Sequence, residues 1–226
     1  TVYKLALKNP PRNKSRYINY RILKIHFELG RIDDLEQGTN LLLGEVKDDV
    51  YAKEILHLLS GYFLQRKKKE KAKPYLKQLV SNYEKSVRRE DLAPEQRVEQ
   101  IVQIGEIYND LDEYEQAESW LSHALKSMET IEDGRKRWQL RILREKGFAL
   151  YKLGQHSKAL AASLKVLYLD RNLSDQQRYD LNLRIASSYL KLNRKKEAKA
   201  IYRKMLNNFE DSNRQKEVED LLGKLM

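Results

Sequence analysis

Three cations and two aromatics share one face of a single predicted helix: Arg141, Arg144, Phe148, Tyr151 and Lys152. Helical spacing puts them about 130° around from the apolar stripe Leu143, Gly147 and Leu150, so they cannot all lie in the same packing interface. Guanidinium groups can clamp a carboxylate with two parallel hydrogen bonds, and a ring beside them can take an apolar side chain. That chemistry is recognition rather than bond making. The corresponding face of the preceding unit is acidic and amide-bearing, with Glu99, Val102, Glu106, Asn109 and Asp110. Adjacent acidic and basic walls suit a mixed-charge peptide. The same charges can instead pair with one another, Glu106 with Arg144, and fasten two repeats together; the residues alone leave both readings open. A second aromatic and cationic set, with Tyr17, Tyr20, Lys24 and Phe27, lies near the start of the chain and reads equally as a second aromatic surface or as the buried face of an edge hairpin.

Two lysine-rich turns offer a different chemistry. Lys67, Lys68 and Lys69 follow Arg66 at one turn, and Arg194, Lys195 and Lys196 occupy the matching turn near the C-terminal end. Such runs are ordinarily solvated turns, and the functional alternative is a docking point for a polyanion, either nucleic acid or an acidic polysaccharide. The net charge of +11 favours anionic partners. The acidic turn at Asp112-Glu113, between the two basic ones, weakens the nucleic-acid reading, because a nucleic-acid binder more often carries one continuous basic stripe. Catalysis finds no support. His26, His57, His123 and His156 have no metal-ligand spacing, there is no cysteine, and no phosphate-cradling glycine loop or nucleophile elbow occurs. The carboxylate pairs Asp33-Asp34 and Asp48-Asp49 read as polar loops. No cofactor or metal is expected.

The elements that must position these side chains are helices. At 41% apolar and 34% charged, with 9 Gly and 4 Pro in 226 residues, the chain can build a core but lacks the turn residues of an all-β fold. No run approaches the length of a membrane helix. A helix-turn-helix unit recurs. Its clearest copy is Ile101, Ile104, Gly105 and Tyr108 followed by Ala117, Leu121 and Ala124, two facing apolar stripes with small residues where the helices approach. The marker positions Leu35, Ala72, Ala117, Ala159 and Ala198 lie 37 to 45 residues apart. Gly30, Gly154 and Asn193 stand where a helix end wants a left-handed residue. Pro94 fits a first helical turn, and Ser174 with Gln177 reads as a capping box. Val218, Leu221, Leu222 and Leu225 form the apolar side of a final helix.

The chain therefore resembles the tetratricopeptide repeat family. The resemblance rests on Ile104-Gly105-x-x-Tyr108…Ala117…Leu121…Ala124, on Leu153-Gly154-Gln155-His156-Ser157-Lys158-Ala159-Leu160, and on Tyr189-Leu190-Lys191-Leu192-Asn193…Glu197-Ala198…Ile201-Tyr202. It implies an all-α, right-handed superhelical solenoid in one domain over 1–226. About five antiparallel hairpins are expected, near 16–45, 53–83, 95–127, 138–168 and 177–208, with a capping helix over 213–226. Units of the family are about 34 residues long; these are longer, and the extra residues fall between hairpins. The run Asn208-Phe209-Glu210-Asp211-Ser212 resembles bacterial envelope members. The resemblance implies a non-catalytic scaffold or adaptor that binds a peptide or protein segment along its first helices, centred on Arg141, Arg144, Phe148, Tyr151 and Lys152. The family's carboxylate clamp is not matched, because Tyr20, Lys24, His57 and Gly61 stand at the corresponding places. Self-assembly of the repeats is a further reading. Thr1 in place of Met suggests a processed chain or a fragment, and both cytoplasmic and periplasmic locations are compatible with the composition.

Overall fold

The computed structural model describes residues 15–45, 50–131, 135–208 and 211–225. Thr1, the Asp48-Asp49 pair and Phe209-Glu210 lie outside them. The described residues form eleven α-helices and no strand. These are α1 (Ser15–Glu28), α2 (Ile32–Glu45), α3 (Val50–Gln65), α4 (Lys69–Val87), α5 (Pro94–Asp110) and α6 (Tyr114–Ser127). After a short 3-10 turn at Met128–Thr130 come α7 (Arg135–Lys152), α8 (His156–Leu169), α9 (Asp175–Lys191), α10 (Lys195–Asn208) and α11 (Ser212–Gly223). The chain divides into two compact units, Thr1–Glu90 with α1 to α4 and Asp91–Met226 with α5 to α11. In the first unit α1 packs on α2 and α3, and α3 on α4. In the second, α5 pairs with α6, α7 with α8 and α9 with α10, while each first helix also touches the next, α5 to α7 and α7 to α9. None of the described helices is long and apolar enough to cross a membrane.

One piece of backbone geometry closes the first helix of every hairpin. Gly30, Lys67, Asp112, Gly154 and Asn193 all have φ between +57° and +74°. In each turn the left-handed residue donates its N–H three residues back, and the next residue donates five back. Gly30 and Arg31 reach Phe27 and His26, and Lys67 and Lys68 reach Leu64 and Phe63. The same bonds run from Asp112 and Glu113 to Asn109 and Tyr108, from Gly154 and Gln155 to Tyr151 and Leu150, and from Asn193 and Arg194 to Leu190 and Tyr189. This is the Schellman motif, which satisfies helix-end carbonyls that would otherwise be orphaned. Glycine and asparagine signal it at three turns; Lys67 and Asp112 carry it without that signal. A β-carbon in the left-handed region costs about 1–2 kcal/mol. Lys67→Gly is therefore expected to stabilise the first unit by about 0.5–1 kcal/mol after the greater chain entropy of glycine is subtracted. Urea denaturation followed by circular dichroism measures it, and an unchanged midpoint would contradict the assignment.

Two helix starts carry side-chain caps. Ser174 and Gln177 form a reciprocal capping box on α9, and Asp211 accepts the N–H groups of Asn213 and Arg214 at the start of α11. Asp33 and Asp34, read above as a loop pair, sit instead in the first turn of α2, where the helix dipole favours carboxylates. Packing follows the small residues. At Gly105 an added β-carbon would stand 2.6 Å from Leu121 Cγ, so α5 and α6 meet backbone to side chain. At Gly147 it would meet Ala162 and Ser163 of α8 at 3.3 Å. The last cluster gathers Tyr179, Ala186, Tyr202, Met205 and Val218, with Leu221, Leu222 and Leu225 of the final segment packed against it. The Tyr179 hydroxyl donates to Glu217 at 2.7 Å and ties α9 to α11.

Candidate functional site

In the second unit, α5, α7 and α9 are successive first helices, and the side chains with recognition chemistry lie along α7 between its two neighbours. Toward α5 the face is closed by an ion cluster. Arg141 clasps Glu106 with two parallel bonds of 2.7 Å, and its third nitrogen donates to both oxygens of Glu99 at 3.0 and 3.1 Å. Its guanidinium also lies 5.6 Å from the Trp138 ring. Burial works against the charged arginine, but the hydrogen bonds and charges of Glu106 and Glu99 outweigh it and hold Arg141 above its ordinary pKa. Glu106 is pushed up by burial, against the pull of Arg141. Asn109 is buried, and its amide donates to the Glu145 carbonyl of α7 at 3.1 Å. Among the described residues its buried Oδ1 has no hydrogen-bond partner. Glu106 thus pairs with Arg141 rather than with Arg144, and Arg141, Glu106 and Asn109 join α5 to α7.

Toward α9 the face is open. A cavity of about 270 Å³ lies between α7 and α9, lined by Arg144, Glu145, Gln177, Asp180, Leu181 and Arg184. Arg144 Nε meets Glu145 Oε1 at 3.1 Å. Arg184 reaches across from α9, and its Nη1 donates to the Arg144 main-chain carbonyl at 2.8 Å. A β-carbon added at Gly147 would stand 3.5 Å from the same nitrogen, an ordinary van der Waals contact. Burial holds Arg184 below its ordinary pKa, with Glu145 and Asp180 opposing the shift. Phe148 is partly buried under two cations, with Arg184 at 5.2 Å and Lys152 at 5.4 Å from its ring centre, and Tyr114 edge-on at 6.0 Å. Tyr151 packs 5.4 Å from His156. Lys152 is exposed.

Arg184 is not among the candidates that the sequence alone singles out. Its register is the signal that could have found it. Gly147 and Ala186 hold equivalent places 39 residues apart, and the same step carries Glu145 onto Arg184, so opposite charges occupy one register of neighbouring repeats.

The remaining candidates lie elsewhere. Tyr20 is buried, its hydroxyl donates to Glu54, and its ring lies 5.0 Å from that of Tyr51, tilted by 33°. Lys24 sits 5.5 Å over the Tyr20 ring. These contacts join α1 to α3 within the first unit. Lys67 and Lys68 are exposed at the turn before α4, with Lys69 partly so. Arg194 pairs with Glu197 at 2.7 Å and covers Tyr189 at 4.7 Å, while Lys195 and Lys196 point into solvent. Among the described residues no cluster of His, Cys, Asp and Glu could hold a metal ion.

Comparison with known proteins agrees with this architecture. Tetratricopeptide repeat family models match residues 99–172, 55–86 and 180–212, together more than half of the chain. Among solved structures, a tetratricopeptide repeat protein from Parabacteroides merdae is similar at a TM-score of 0.64 and 15% identity, over 99% of this chain and 76% of that one. A Podosopora anserina putative kinesin light chain with nearly identical TPR-like repeats gives 0.57 at 13% identity, over 87% and 95%. BtubC from P. vanneervenii gives 0.56 at 15% identity, over 97% and 86%. Identities this low speak for the fold alone. No curated protein matches. Five Schellman-turned hairpins and family models that match more than half of the residues make the same assignment: the chain belongs to the tetratricopeptide repeat family.

Proposed function

We propose that the second unit is a non-catalytic binding module that holds a segment of a partner protein along α5, α7 and α9, and that the cavity between α7 and α9 is its anchor point. The observation that carries this reading is Arg184. A guanidinium taken partly out of water is costly unless it is paired, and among the described residues no carboxylate lies within ion-pairing distance of it. Arg144, Gln177 and Asp180 surround the space in front of it, and Phe148, Tyr151 and Lys152 continue the surface along α7. An acidic side chain would fill that space with charge-assisted bonds. The rigid helices pre-organise the surface, so little ordering entropy is lost on binding. Proteins of this fold act generally in protein–protein interaction, which fits the reading.

The test is selection of peptides from a random display library on the wild-type protein, followed by affinity measurement on Arg144→Glu and Arg184→Met. Selected peptides are expected to share an acidic residue. Each substitution is expected to weaken them at least tenfold, while Arg144→Glu leaves the melting temperature unchanged. Peptides that bind all three proteins equally would refute the groove assignment.

A further inference from the structure

The described residues expose four large hydrophobic side chains, and two of them stand one turn apart on α8: Leu164, 37% exposed, and Tyr168, 86% exposed. Single exposed hydrophobics are ordinary; two on one ridge of one helix are not explained by the fold. The other side of α8 does the packing. Ala159, Leu160, Ala162, Ser163 and Val166 are buried against α7 and α9. The exposed ridge is thus a second apolar face that no described element covers.

Its surroundings are cationic. Lys158 and Lys165 lie on the same exposed arc, and Arg171 follows just beyond the helix. The helix itself contains no acidic residue. One acid, Asp170, stands at its end and accepts the N–H of Asn172. The equivalent arc of the next second helix, α10, exposes Lys196, Arg203 and Lys204, with Lys199 partly exposed, and its one acid, Glu197, is paired with Arg194.

We propose that the outer ridge of α8 is a docking surface for an acidic segment of a partner protein that carries an apolar anchor. The apolar pair supplies the contact that excludes water, with Tyr168 as the large, low-entropy anchor. The flanking lysines select acidic partners and speed their encounter. A lipid surface fits less well, because an interfacial helix inserts a broad apolar face rather than two side chains. Single-stranded nucleic acid stacks on successive aromatics, and here one aromatic stands beside an aliphatic side chain. The surface lies on the second helices, apart from the anchor cavity between α7 and α9, and does not depend on it.

The experiment uses the full chain and a fluorescein-labelled synthetic peptide of Glu-Ala turns carrying Leu and Phe on one face, read by anisotropy. A matched peptide with Ser at both apolar positions, an oligo-dT strand and phosphatidylglycerol vesicles complete the set. The apolar-anchored acidic peptide is expected to bind, and Tyr168→Glu and Lys165→Glu are each expected to weaken it at least tenfold. Both residues are exposed, so both variants should melt with the wild type. The loss caused by Tyr168→Glu should persist in the Arg184→Met background, which separates the outcome from that of the groove. Equal binding of the Ser-substituted peptide, equal binding by Tyr168→Glu, or tighter binding of oligo-dT or vesicles through the same residues would each overturn the proposal.

Discussion

Gly105→Val is expected to destabilise the second unit by about 3 kcal/mol, the upper part of the range for overpacked cores. The reason is local and steric. Leu121 is fully buried, and an added β-carbon at position 105 would stand 2.6, 2.8 and 3.3 Å from its Cγ, Cδ2 and Cδ1. Leu121 has little room to yield, because it is fully buried, as are Ile101, Ile104, Ala117 and Ala124 of the same two helices. α5 and α6 must separate, and each step apart weakens dispersion contacts along the whole hairpin. At roughly 2–4 °C per kcal/mol for a unit of this size, the melting temperature should fall by roughly 10 °C. Gly61→Ala provides the contrast. Gly61 is also mid-helix, in α3, but an added β-carbon there meets nothing within 4 Å. It should gain the helix propensity of alanine, about 1 kcal/mol, and raise the melting temperature. Opposite signs at two helical glycines would identify close approach, rather than glycine itself, as the determinant. If Gly105→Val melted with the wild type, the α5–α6 packing described above would be wrong.

That contact is legible in the amino-acid sequence, because Gly105 and Leu121 fall on facing stripes of one helical period. The turns are legible for a related reason. A left-handed residue stands five positions before each of Leu35, Ala72, Ala117, Ala159 and Ala198. The hairpin is thus constant at its turn, and the 37- to 45-residue variation lies beyond it, partly between hairpins and partly in α4, which has 19 residues where α2, α6, α8 and α10 have 14. Lys67 does not stand out as a left-handed residue because nothing in its side chain announces a positive φ; the closing hydrogen bonds around it impose it, whereas Asp112 is of a residue type that tolerates this region.

The binding surface is harder to read, and α7 explains why. Arg141 and Arg144 are three residues apart on one helix, and both are long cationic side chains that the sequence sets beside the acidic face of α5. Helical side chains lean toward the N-terminus, and it is Arg141, one turn earlier, that meets the carboxylates of α5. Periodicity assigns a residue to a face but does not decide which of two long side chains turns inward. Arg184 is hidden for the converse reason. Its position beside the buried Ile185 and Ala186 suggests packing, whereas its long side chain carries the guanidinium across to the Arg144 main-chain carbonyl of α7.

Arg141→Met is expected to cost about 2–3 kcal/mol at neutral pH. Removing one partner of a fully buried pair costs about 3–5 kcal/mol, because the other charge is left uncompensated; the figure is reduced here because Arg141, Glu99 and Glu106 keep 29%, 34% and 28% of their side-chain surface exposed. Glu106 bears the loss. Burial already pushes its pKa up, and the charges of Glu99 and Glu145 push the same way, with Arg141 opposing them. Without Arg141 the shift must grow. A carboxyl whose folded pKa is raised favours folding fully at pH values below its unfolded pKa, and that contribution is lost as pH rises through the folded value. The gap between variant and wild type should therefore be widest at neutral pH and shrink as pH falls through the carboxylate range, once Glu106 is protonated in both proteins. Urea titrations at pH 7 and pH 4 measure the two gaps. Adding Glu106→Gln to Arg141→Met removes the uncompensated charge and should recover part of the loss at pH 7, with a coupling that shrinks at pH 4. A loss that is the same at both pH values, with no recovery in the double variant, would mean that Arg141 matters for its packing on Trp138 rather than for the carboxylates it clasps.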